Sequence, residues 1–300
     1  MSDQPLQSSP MRPVEQIERP RFSVPSGACD AHMHVFGSAE RYPSVPVLHY
    51  TLPDATLRQY LELRAVLDLS RCVLVQPSFY GTDNRCLLDS LANTGGTARG
   101  VVMLDTEATA AEFDRWHAIG VRAVRYDLFK RAREQLSSIR RDLNDLAHLL
   151  GPRGWHIQLY TPGWLVRELA DFLETLPVDF TVDHMGRLSG THGGMGEDHG
   201  LAENDYLRIL GLAQHGRCWI KLTGPYRIGE ARDPAAVNRV ARQIIAAVPR
   251  RVIWGSDWPH IPDSTRDTGK LLNQLFDWES DPAIRHQILV ENPARLFGFA

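Results

Sequence analysis

The chain has 300 residues, 43% of them hydrophobic and 23% charged, a balance typical of soluble globular proteins and not of disordered chains. Its net charge of −3 excludes a general basic footprint for nucleic acid, and no run approaches the ~18 consecutive apolar residues of a membrane span. Four cysteines without a Cys-x-x-Cys pair, and an N-terminus without the apolar stretch of a signal peptide, predict a reduced, cytoplasmic protein.

The first part of the chain differs in amino-acid composition from the rest. Residues 1–26 contain five prolines and few large apolar side chains, which indicates an arm laid over the surface. From residue 27 onward, short apolar runs alternate with longer segments that have helical spacing. We therefore expect a proline-rich N-terminal arm, 1–26, followed by one folded domain, 27–300.

Eight runs have the near-continuous apolar character of strands buried on both faces, as parallel strands are. They are CDAHMHVF (29–36), CVLVQPS (72–78), GVVMLD (100–105), AVRYDL (123–128), WHIQLY (155–160), VDFTVDHMG (178–186), CWIKLTG (218–224) and RVIWGSDWP (251–259). Helices are predicted at roughly 54–70, 83–95, 109–119, 133–150, 162–176, 202–215, 233–248, 265–277 and 281–297. This alternation predicts an α/β fold, a closed (β/α)8 TIM barrel. A doubly wound open sheet competes, but the turn after the first strand lacks phosphate-binding glycines.

One segment is rich in glycine. GRLSGTHGGMGEDHG (186–200) follows the sixth predicted strand and contains six glycines. It is either a flexible surface loop or a mobile lid, since the loops after barrel strands surround the active site.

Polar side chains at the C-terminal ends of barrel strands converge on one mouth. His32 and His34 are two residues apart, so both point to one face of the first strand. Asp257 follows the eighth strand, which barrel closure brings beside the first. Two imidazoles next to a carboxylate predict a general base, a metal ligand or an orienting group. Core hydrogen bonds for the histidines and a turn cap for the aspartate are the structural alternatives.

The segments CDAHMHVF, TVDHMGR and RVIWGSDWPH, in this order and at barrel-compatible spacing, resemble the amidohydrolase superfamily in its amidohydrolase-related branch. The resemblance extends from about Gly27 to the C-terminus and includes VQPSFYGTDN, RAVRYDLFKR, GWHIQLY and ENPARLFGF. Within that branch the chain is similar to the 2-pyrone-4,6-dicarboxylate lactonases. The resemblance implies a hydrolase with a catalytic set of Asp257, His32, His34 and His184.

The sequence departs from superfamily members that bind two metal ions, which use a lysine on the fourth strand and histidines on the fifth and sixth. Here the fourth strand offers Arg125, the fifth ends in Tyr160, and His156 lies at the start of the fifth. One Zn²⁺ or Mn²⁺ could still be held by the two first-strand histidines, His184 and Asp257. The lactonases that the chain resembles work without a metal, so the resemblance implies no cofactor, with one zinc or manganese ion as the alternative.

Arginines are concentrated near the predicted mouth, on the fourth strand and in the loops after strands four, six and seven. They are Arg125, Arg131, Arg187 and Arg227, accompanied by Lys130. Each alone is typical of a solvated surface charge, but several around one mouth predict a pocket for an anion with more than one carboxylate. The resemblance adds Tyr50, Ser78 and Tyr160 as substrate hydrogen-bonding residues.

The arginines predict an anionic substrate, and the resemblance implies hydrolysis of a carboxylated cyclic ester, similar to 2-pyrone-4,6-dicarboxylate, in aromatic-acid catabolism. In this hypothesis, ionised Asp257 takes a proton from the attacking water, and His32, His34 and His184 stabilise the oxyanion. The arginines orient the substrate. The chain has no Gly-x-Ser-x-Gly elbow, which disfavours an acyl-enzyme.

Three alternatives remain open at this stage. One is a related hydrolase or isomerase of a sugar-acid lactone or a sulfonated muconolactone. Another is a zinc-dependent decarboxylase or hydratase of the same superfamily, which needs the same ligand types. The third is a non-catalytic barrel that binds dicarboxylates. The expected partner in all three is a small molecule, with no nucleic acid and no membrane.

Overall fold

The computed structural model describes residues 6–7, 11–12, 14–45, 50–104, 108–129, 131, 134–187, 203–228 and 233–300. The chain divides into two compact units. The first comprises Met1–Val121 and Gly255–Asp277, and the second Arg122–Trp254 and Trp278–Ala300. The glycine-rich segment predicted as a loop or lid lies outside the described residues from 188 onward, as does Lys130.

The first unit contains three parallel strands: β1 (Cys29–Met33), β2 (Arg71–Val75) and β3 (Ala98–Val102). β2 lies in the middle, with Cys29 opposite Arg71 on one side and Cys72 opposite Ala98 on the other. Nearly all of their residues are buried, as the unbroken apolar runs predict. Beyond the strands, Met33 forms a parallel bridge with Trp258, which joins the end of β1 to the loop after the eighth strand.

The second unit contains the other five strands, apart from the first residue of β4. They are β4 (Val121–Asp127), β5 (His156–Tyr160), β6 (Phe180–Val182), β7 (Cys218–Leu222) and β8 (Val252–Trp254). Each pairs in parallel with the next along the chain, so the order is β4-β5-β6-β7-β8. Parallel neighbours need a crossover connection, and helices provide it.

The helices occupy the predicted segments. They are α1 (Leu57–Val66), α2 (Arg85–Ala92), α3 (Ala110–Ile119), α4 (Leu136–Leu150), α5 (Gly163–Leu173), α6 (Glu203–His215), α7 (Pro234–Ala247), α8 (Thr268–Trp278), α9 (Pro282–His286) and α10 (Asn292–Phe297). Thr109 forms a capping box before α3, and the Asp233 side chain accepts a hydrogen bond from the backbone N–H of Ala236 at the start of α7. Among the helices described, none is long and apolar enough to cross a bilayer.

The fold class is a (β/α)8 barrel, as predicted. The strands end earlier than the apolar runs that predict them: β6 ends at Val182 and β8 at Trp254. The residues that follow turn sharply, and His184 and Asp257 have left-handed φ angles of 53° and 61°. His184 and Asp257 therefore lie just beyond the strands on short loops, whereas His32, Arg125 and Tyr160 lie within strands.

Within the first unit, the N-terminal segment forms hydrogen bonds with the region around α8. The backbone N–H of Arg12 donates to the carbonyl of Ser264, and that of Glu18 to the Asp267 carboxylate. The Arg21 guanidinium pairs with Asp277 at 2.8 Å. The prediction of an arm, 1–26, outside a barrel, 27–300, stays a prediction.

Candidate active site

Three of the four predicted catalytic residues form one buried cluster in the first unit. His32 and Asp257 are buried, and the His34 side chain is 11% exposed. Asp257 Oδ1 lies 3.4 Å from His34 Nε2 and 3.7 Å from His32 Nε2. The two imidazole rings meet edge to face with their centres 5.0 Å apart. A carboxylate and two imidazoles thus converge in a site where charges are poorly screened by water.

The orientation of His34 is set from the other side of its ring. Its Nδ1 lies 2.7 Å from the carbonyl oxygen of Val75, at the end of β2. A carbonyl can only accept, so Nδ1 carries a proton and Nε2 faces Asp257. An imidazole nitrogen and a carboxylate oxygen 3.4 Å apart form a site that favours a shared proton or a bound cation.

The same three residues offer ligand atoms that lie within 4.8 Å of one another. Two imidazoles and one carboxylate are ligands that Zn²⁺ accepts, and the bond from His34 Nδ1 to a carbonyl is the outer support usual for a metal-binding histidine. The donor set in this unit therefore fits a single divalent cation as well as a proton-transfer site.

The loop that carries Asp257 is tied to β1 by its backbone. The N–H of Asp257 donates to the carbonyl of His32, and the N–H of His34 donates to the carbonyl of Trp258, each at 2.8 Å. Together with the Met33–Trp258 bridge, these two bonds pair β1 in parallel with this loop inside the first unit. They place the Asp257 side chain on the same side as the two imidazoles.

Sequence reasoning missed Asp30, which is 1% exposed on β1. Its carboxylate accepts hydrogen bonds from the N–H and hydroxyl of Ser256, from the N–H of His32 and from the hydroxyl of Tyr60. Burial raises the pKa of Asp30, and the hydrogen bonds oppose that shift. The signal was present, since Asp30 precedes His32 by two residues and shares its face of the strand.

His184 belongs to the second unit, where it follows β6. Its Nδ1 lies 2.8 Å from Thr223 Oγ1, and its own N–H donates to the same hydroxyl. Gly224, with φ of 53°, leaves room for this pair: a Cβ there would stand 3.0 Å from His184 Nδ1 and 3.1 Å from Arg227 Cδ. The expectation that His184 joins the first-unit histidines stays a prediction.

Two of the predicted substrate arginines stand on an aromatic platform at the ends of β4, β5 and β6. The Arg125 guanidinium lies over the Tyr160 ring at 4.4 Å, and that of Arg187 over the Phe129 ring at 4.7 Å. Arg187 also donates to the Tyr160 hydroxyl at 3.1 Å. Stacked guanidiniums keep their N–H groups in one plane, which suits a planar carboxylate. Phe129 is an addition that the sequence did not reveal.

The positive charge of Arg125 is compensated by the buried carboxylate of Asp183. Asp183 Oδ2 lies 3.9 Å from Arg125 Nε, and Asp183 Oδ1 lies 3.9 Å from Lys221 Nζ. Gln158 links the group, because it accepts from Lys221 at 2.7 Å and donates to Asp183 at 3.0 Å. All four residues are buried, so this network holds two cations around one carboxylate inside the unit.

Arg131 forms ion pairs with α4 and with the segment just before it. Its guanidinium pairs with Glu134 at 2.6 Å and with Asp142 at 2.7 Å. Two carboxylates already occupy a fork that the sequence assigned to substrate. Its role in substrate binding stays a prediction.

The remaining predicted substrate residues lie in two short turns and a two-residue strand. Arg227 belongs to a 3-10 turn, Pro225–Ile228, and Ser78 opens another, Ser78–Tyr80. Tyr50 lies in a two-residue strand, Tyr50–Thr51, that pairs in parallel with Leu6–Gln7. The assignments of these residues to substrate stay predictions.

His156 lies at the opposite end of β5 from Tyr160. It is 2% exposed, its ring meets Phe297 edge to face, and neither ring nitrogen has a hydrogen-bond partner among the described residues. Burial, with a smaller contribution from Lys221, lowers the pKa of His156 to about 3. It is a neutral core residue in the folded chain.

This histidine predicts a loss of stability in mild acid. Its folded pKa of about 3 lies below the ordinary value of 6.5, so the unfolded chain binds a proton that the folded chain refuses. The contribution of His156 to the free energy of unfolding is intact above pH 6.5 and is lost as pH falls toward 3. The loss between pH 7 and pH 5 is about 2 kcal/mol. Urea unfolding of His156→Leu should show that much less pH dependence. His148→Leu, on the exposed face of α4, should keep the wild-type difference.

Comparison with known proteins identifies the family and several relatives of this chain. Residues 29–299 match the family model described as amidohydrolase. The chain is 34% identical to the 2-pyrone-4,6-dicarboxylate hydrolase of Comamonas testosteroni over 93% of this chain and 92% of the relative. It is 31% identical to the 4-sulfomuconolactone hydrolase of Hydrogenophaga intermedia over 99% of this chain and 98% of that protein.

A solved structure agrees with these relatives. It is the crystal structure of a probable 2-pyrone-4,6-dicarboxylic acid hydrolase from Acinetobacter baumannii with citric acid bound. The TM-score is 0.76 and the sequence identity 26%, over 91% of this chain and 100% of the other.

Proposed function

The chain belongs to the amidohydrolase family, and from that premise we propose that it hydrolyses a carboxylated lactone of the 2-pyrone-4,6-dicarboxylate type in aromatic-acid catabolism. The observation that carries the proposal is the buried Asp257 carboxylate, 3.4 Å and 3.7 Å from two imidazoles. The names of two relatives at 34% and 31% identity, both lactone hydrolases, support the same reaction class.

In the proposed reaction Asp257 acts as the general base. It takes a proton from water, the water oxygen forms a bond to the lactone carbonyl carbon, and the carbonyl oxygen becomes negatively charged. His32 and His34 stabilise that oxyanion. The bond between the carbonyl carbon and the ring oxygen then breaks, and Asp257 returns the proton to the leaving oxygen. His184 is proposed as a third donor to the oxyanion.

Recognition of the anionic groups is assigned to the cluster in the second unit. Arg125 and Arg187 present stacked guanidiniums beside the Tyr160 hydroxyl. Guanidinium forks bind carboxylates in a bidentate manner and hold the ring in one orientation. Arg131, Arg227, Tyr50 and Ser78 are proposed to complete this recognition.

The test is direct. Purified protein is mixed with 2-pyrone-4,6-dicarboxylate, and the loss of pyrone absorbance and the release of a new carboxylate are followed. Ring opening at a rate that scales with enzyme and saturates with substrate supports the proposal. Tight binding without turnover would instead indicate the non-catalytic barrel.

A second candidate substrate has its own support. The relative that covers 99% of the chain is a 4-sulfomuconolactone hydrolase, and a sulfonate presents oxygens that arginine binds as it binds a carboxylate. Parallel measurement of kcat/KM for the two lactones decides between them, because the chemical step is shared and only anion recognition differs.

We propose that catalysis requires no metal. In this scheme the imidazoles of His32 and His34 stabilise the oxyanion, the role that a metal ion would otherwise have. Arg125 and Tyr160, at positions where two-metal relatives have ligands, support the absence of a binuclear centre. A divalent ion, if bound by His32, His34 and Asp257, would polarise the carbonyl and lower the pKa of water.

Chelation decides this point. Prolonged treatment with a strong chelator should leave kcat unchanged, and metal analysis of active protein should find less than one equivalent of zinc or manganese. A chelated enzyme that is inactive and regains activity with Zn²⁺ or Mn²⁺ would reassign the first-unit cluster as ligands.

Replacement of Arg187 by methionine should mainly raise KM. A carboxylate held equally in the ground state and the transition state contributes uniform binding, so kcat should change little. Loss of one charge-assisted contact corresponds to about 1.5–3 kcal/mol, or a ~10- to 150-fold rise in KM. Steady-state kinetics with the preferred lactone measures it.

The control is Arg208→Met, which removes an arginine of the same unit that pairs with Asp171 and Glu174 on the surface of α5 and its end. Its KM should match that of wild type. An unchanged KM in Arg187→Met as well would remove Arg187 from the substrate site.

We further propose that the enzyme works in the cytoplasm on a small molecule, with neither nucleic acid nor membrane as partner. Its four cysteines are buried free thiols, which is typical of a reducing compartment.

A further inference from the structure

We propose that Asp30 and Ser256 form a positioning pair that fixes the backbone of Asp257, so that its carboxylate faces the two imidazoles. The inference rests on the proposed function for its catalytic meaning, because Asp257 is the base of that reaction. Asp30 itself does not touch the reacting atoms in this scheme. It acts through the loop after β8.

The contacts between Asp30 and that loop are short and buried. Asp30 Oδ1 accepts from the N–H of Ser256 at 2.8 Å, and Oδ2 accepts from its hydroxyl at 2.5 Å. The Ser256 hydroxyl oxygen in turn accepts from the N–H of Trp258 at 3.0 Å. One carboxylate and one hydroxyl therefore hold the residues on both sides of Asp257.

Asp257 needs such support because of its backbone. Its φ of 61° lies in the left-handed region, which non-glycine residues adopt only when the surroundings impose it. Its own N–H donates to the His32 carbonyl, so the flanking clamp and the bond to β1 together determine where the carboxylate points. Relaxation of this loop to an ordinary φ would turn Asp257 away from His34.

The placement of Asp30 also ties the base to the histidines. Asp30 lies two residues before His32 on the same face of β1, and its Oδ1 accepts from the His32 N–H as well. One buried carboxylate thus contacts both β1, which carries the imidazoles, and the loop after β8, which carries the base. It thereby sets the position of the base relative to the imidazoles. A displacement of about 1 Å in such a constellation can cost ~10²-fold in rate.

The structure offers a matched pair of variants. Ser256→Ala removes the hydroxyl that links Asp30 Oδ2 to the Asp257 loop. Tyr60→Phe removes another hydroxyl on the same oxygen, 3.0 Å away, but one that comes from α1. Both variants lose one buried hydrogen bond to Asp30, and Ser256→Ala also removes the acceptor of the Trp258 N–H. A merely structural role therefore predicts some loss of stability in both variants, but no loss of kcat specific to Ser256→Ala.

We expect Ser256→Ala to lower kcat by ~10- to 100-fold with KM within twofold of wild type, because outer residues that orient a catalytic group have effects of that size. Tyr60→Phe should keep kcat within twofold. Hydrogen exchange gives a readout without substrate: the Asp257 amide should exchange faster in Ser256→Ala than in Tyr60→Phe. Asp30→Asn, which keeps one acceptor oxygen, should retain more activity than Asp30→Ala.

Equal kcat and equal Asp257 exchange in the two variants would overturn the inference. The outcome is separable from that of the proposed function. If Asp257→Asn is inactive while Ser256→Ala keeps full kcat, the positioning pair fails and the lactonase stands. If wild type opens neither lactone, the proposed function fails, and the exchange of the Asp257 amide alone decides the inference.

Discussion

Asp257→Asn should lower kcat for lactone opening by ~10⁴-fold or more while the protein stays folded. Loss of a general base typically costs ~10²–10⁴-fold, and here the same carboxylate also returns the proton to the leaving oxygen. Asparagine matches aspartate in size and tolerates the left-handed φ of 61°, so the loop should keep its conformation. Single-turnover kinetics, with circular dichroism to check the fold, measures the effect.

The matched control is Asp263→Asn in the same loop region. Asp263 is a partly exposed residue that pairs with Arg266 and Thr265, and its replacement should leave kcat unchanged. If Asp257 were only a turn residue, Asp257→Asn would keep most activity and lose at most ~2 kcal/mol of stability. Because a metal-dependent mechanism also needs this carboxylate, chelation and not this variant distinguishes the two schemes.

The strands of the barrel could be predicted because they consist largely of consecutive apolar residues. Runs such as CVLV at the start of CVLVQPS are apolar at consecutive positions, a pattern typical of a strand buried on both faces. The alternation of His32 and His34 likewise predicts a shared face. The fold class then indicates which strand ends carry chemistry.

The limits of the sequence lie where a contact depends on distant residues. The pairing of Arg131 with Asp142 depends on how α4 packs, which local spacing does not encode, while the assignment of Arg131 to substrate stays a prediction. Asp30 was overlooked because its partners lie at Ser256 and Tyr60, far along the chain. A buried acid next to His-x-His is a signal that could have been used.

The buried network around Arg125 shows how the fold accommodates an arginine on the strand where the two-metal relatives have a lysine. A guanidinium at a buried strand end needs a counter-charge, and Asp183 supplies it. Lys221, on β7, places a second basic side chain 3.9 Å from the other oxygen of that carboxylate. Two basic side chains therefore flank one carboxylate on the strands that carry the guanidiniums proposed to bind the anion.

Asp183→Asn should be strongly destabilising, by about 3–5 kcal/mol. The change leaves Arg125 and Lys221 as buried cations beside a neutral amide, and removal of one partner from a buried ion pair has this cost because the remaining charge stays desolvated. The hydrogen bond from Gln158 can survive, since the amide oxygen still accepts it. Urea unfolding at pH 7 measures the difference.

Asp179→Asn makes the same chemical change near the surface and serves as its control. Asp179 also stands between two cations, Arg217 and Arg251, each 3.6 Å away, but its side chain is 31% exposed. Water screens these charges, and the amide oxygen can still accept from Trp219 at the position of Asp179 Oδ2, so the loss should stay within about 1 kcal/mol. Equal losses in the two variants would show that burial of the Asp183 network does not govern its contribution. A small loss for both would mean that Arg125 and Lys221 find compensation without Asp183, and that the positive charge of the substrate cluster is held in some other way.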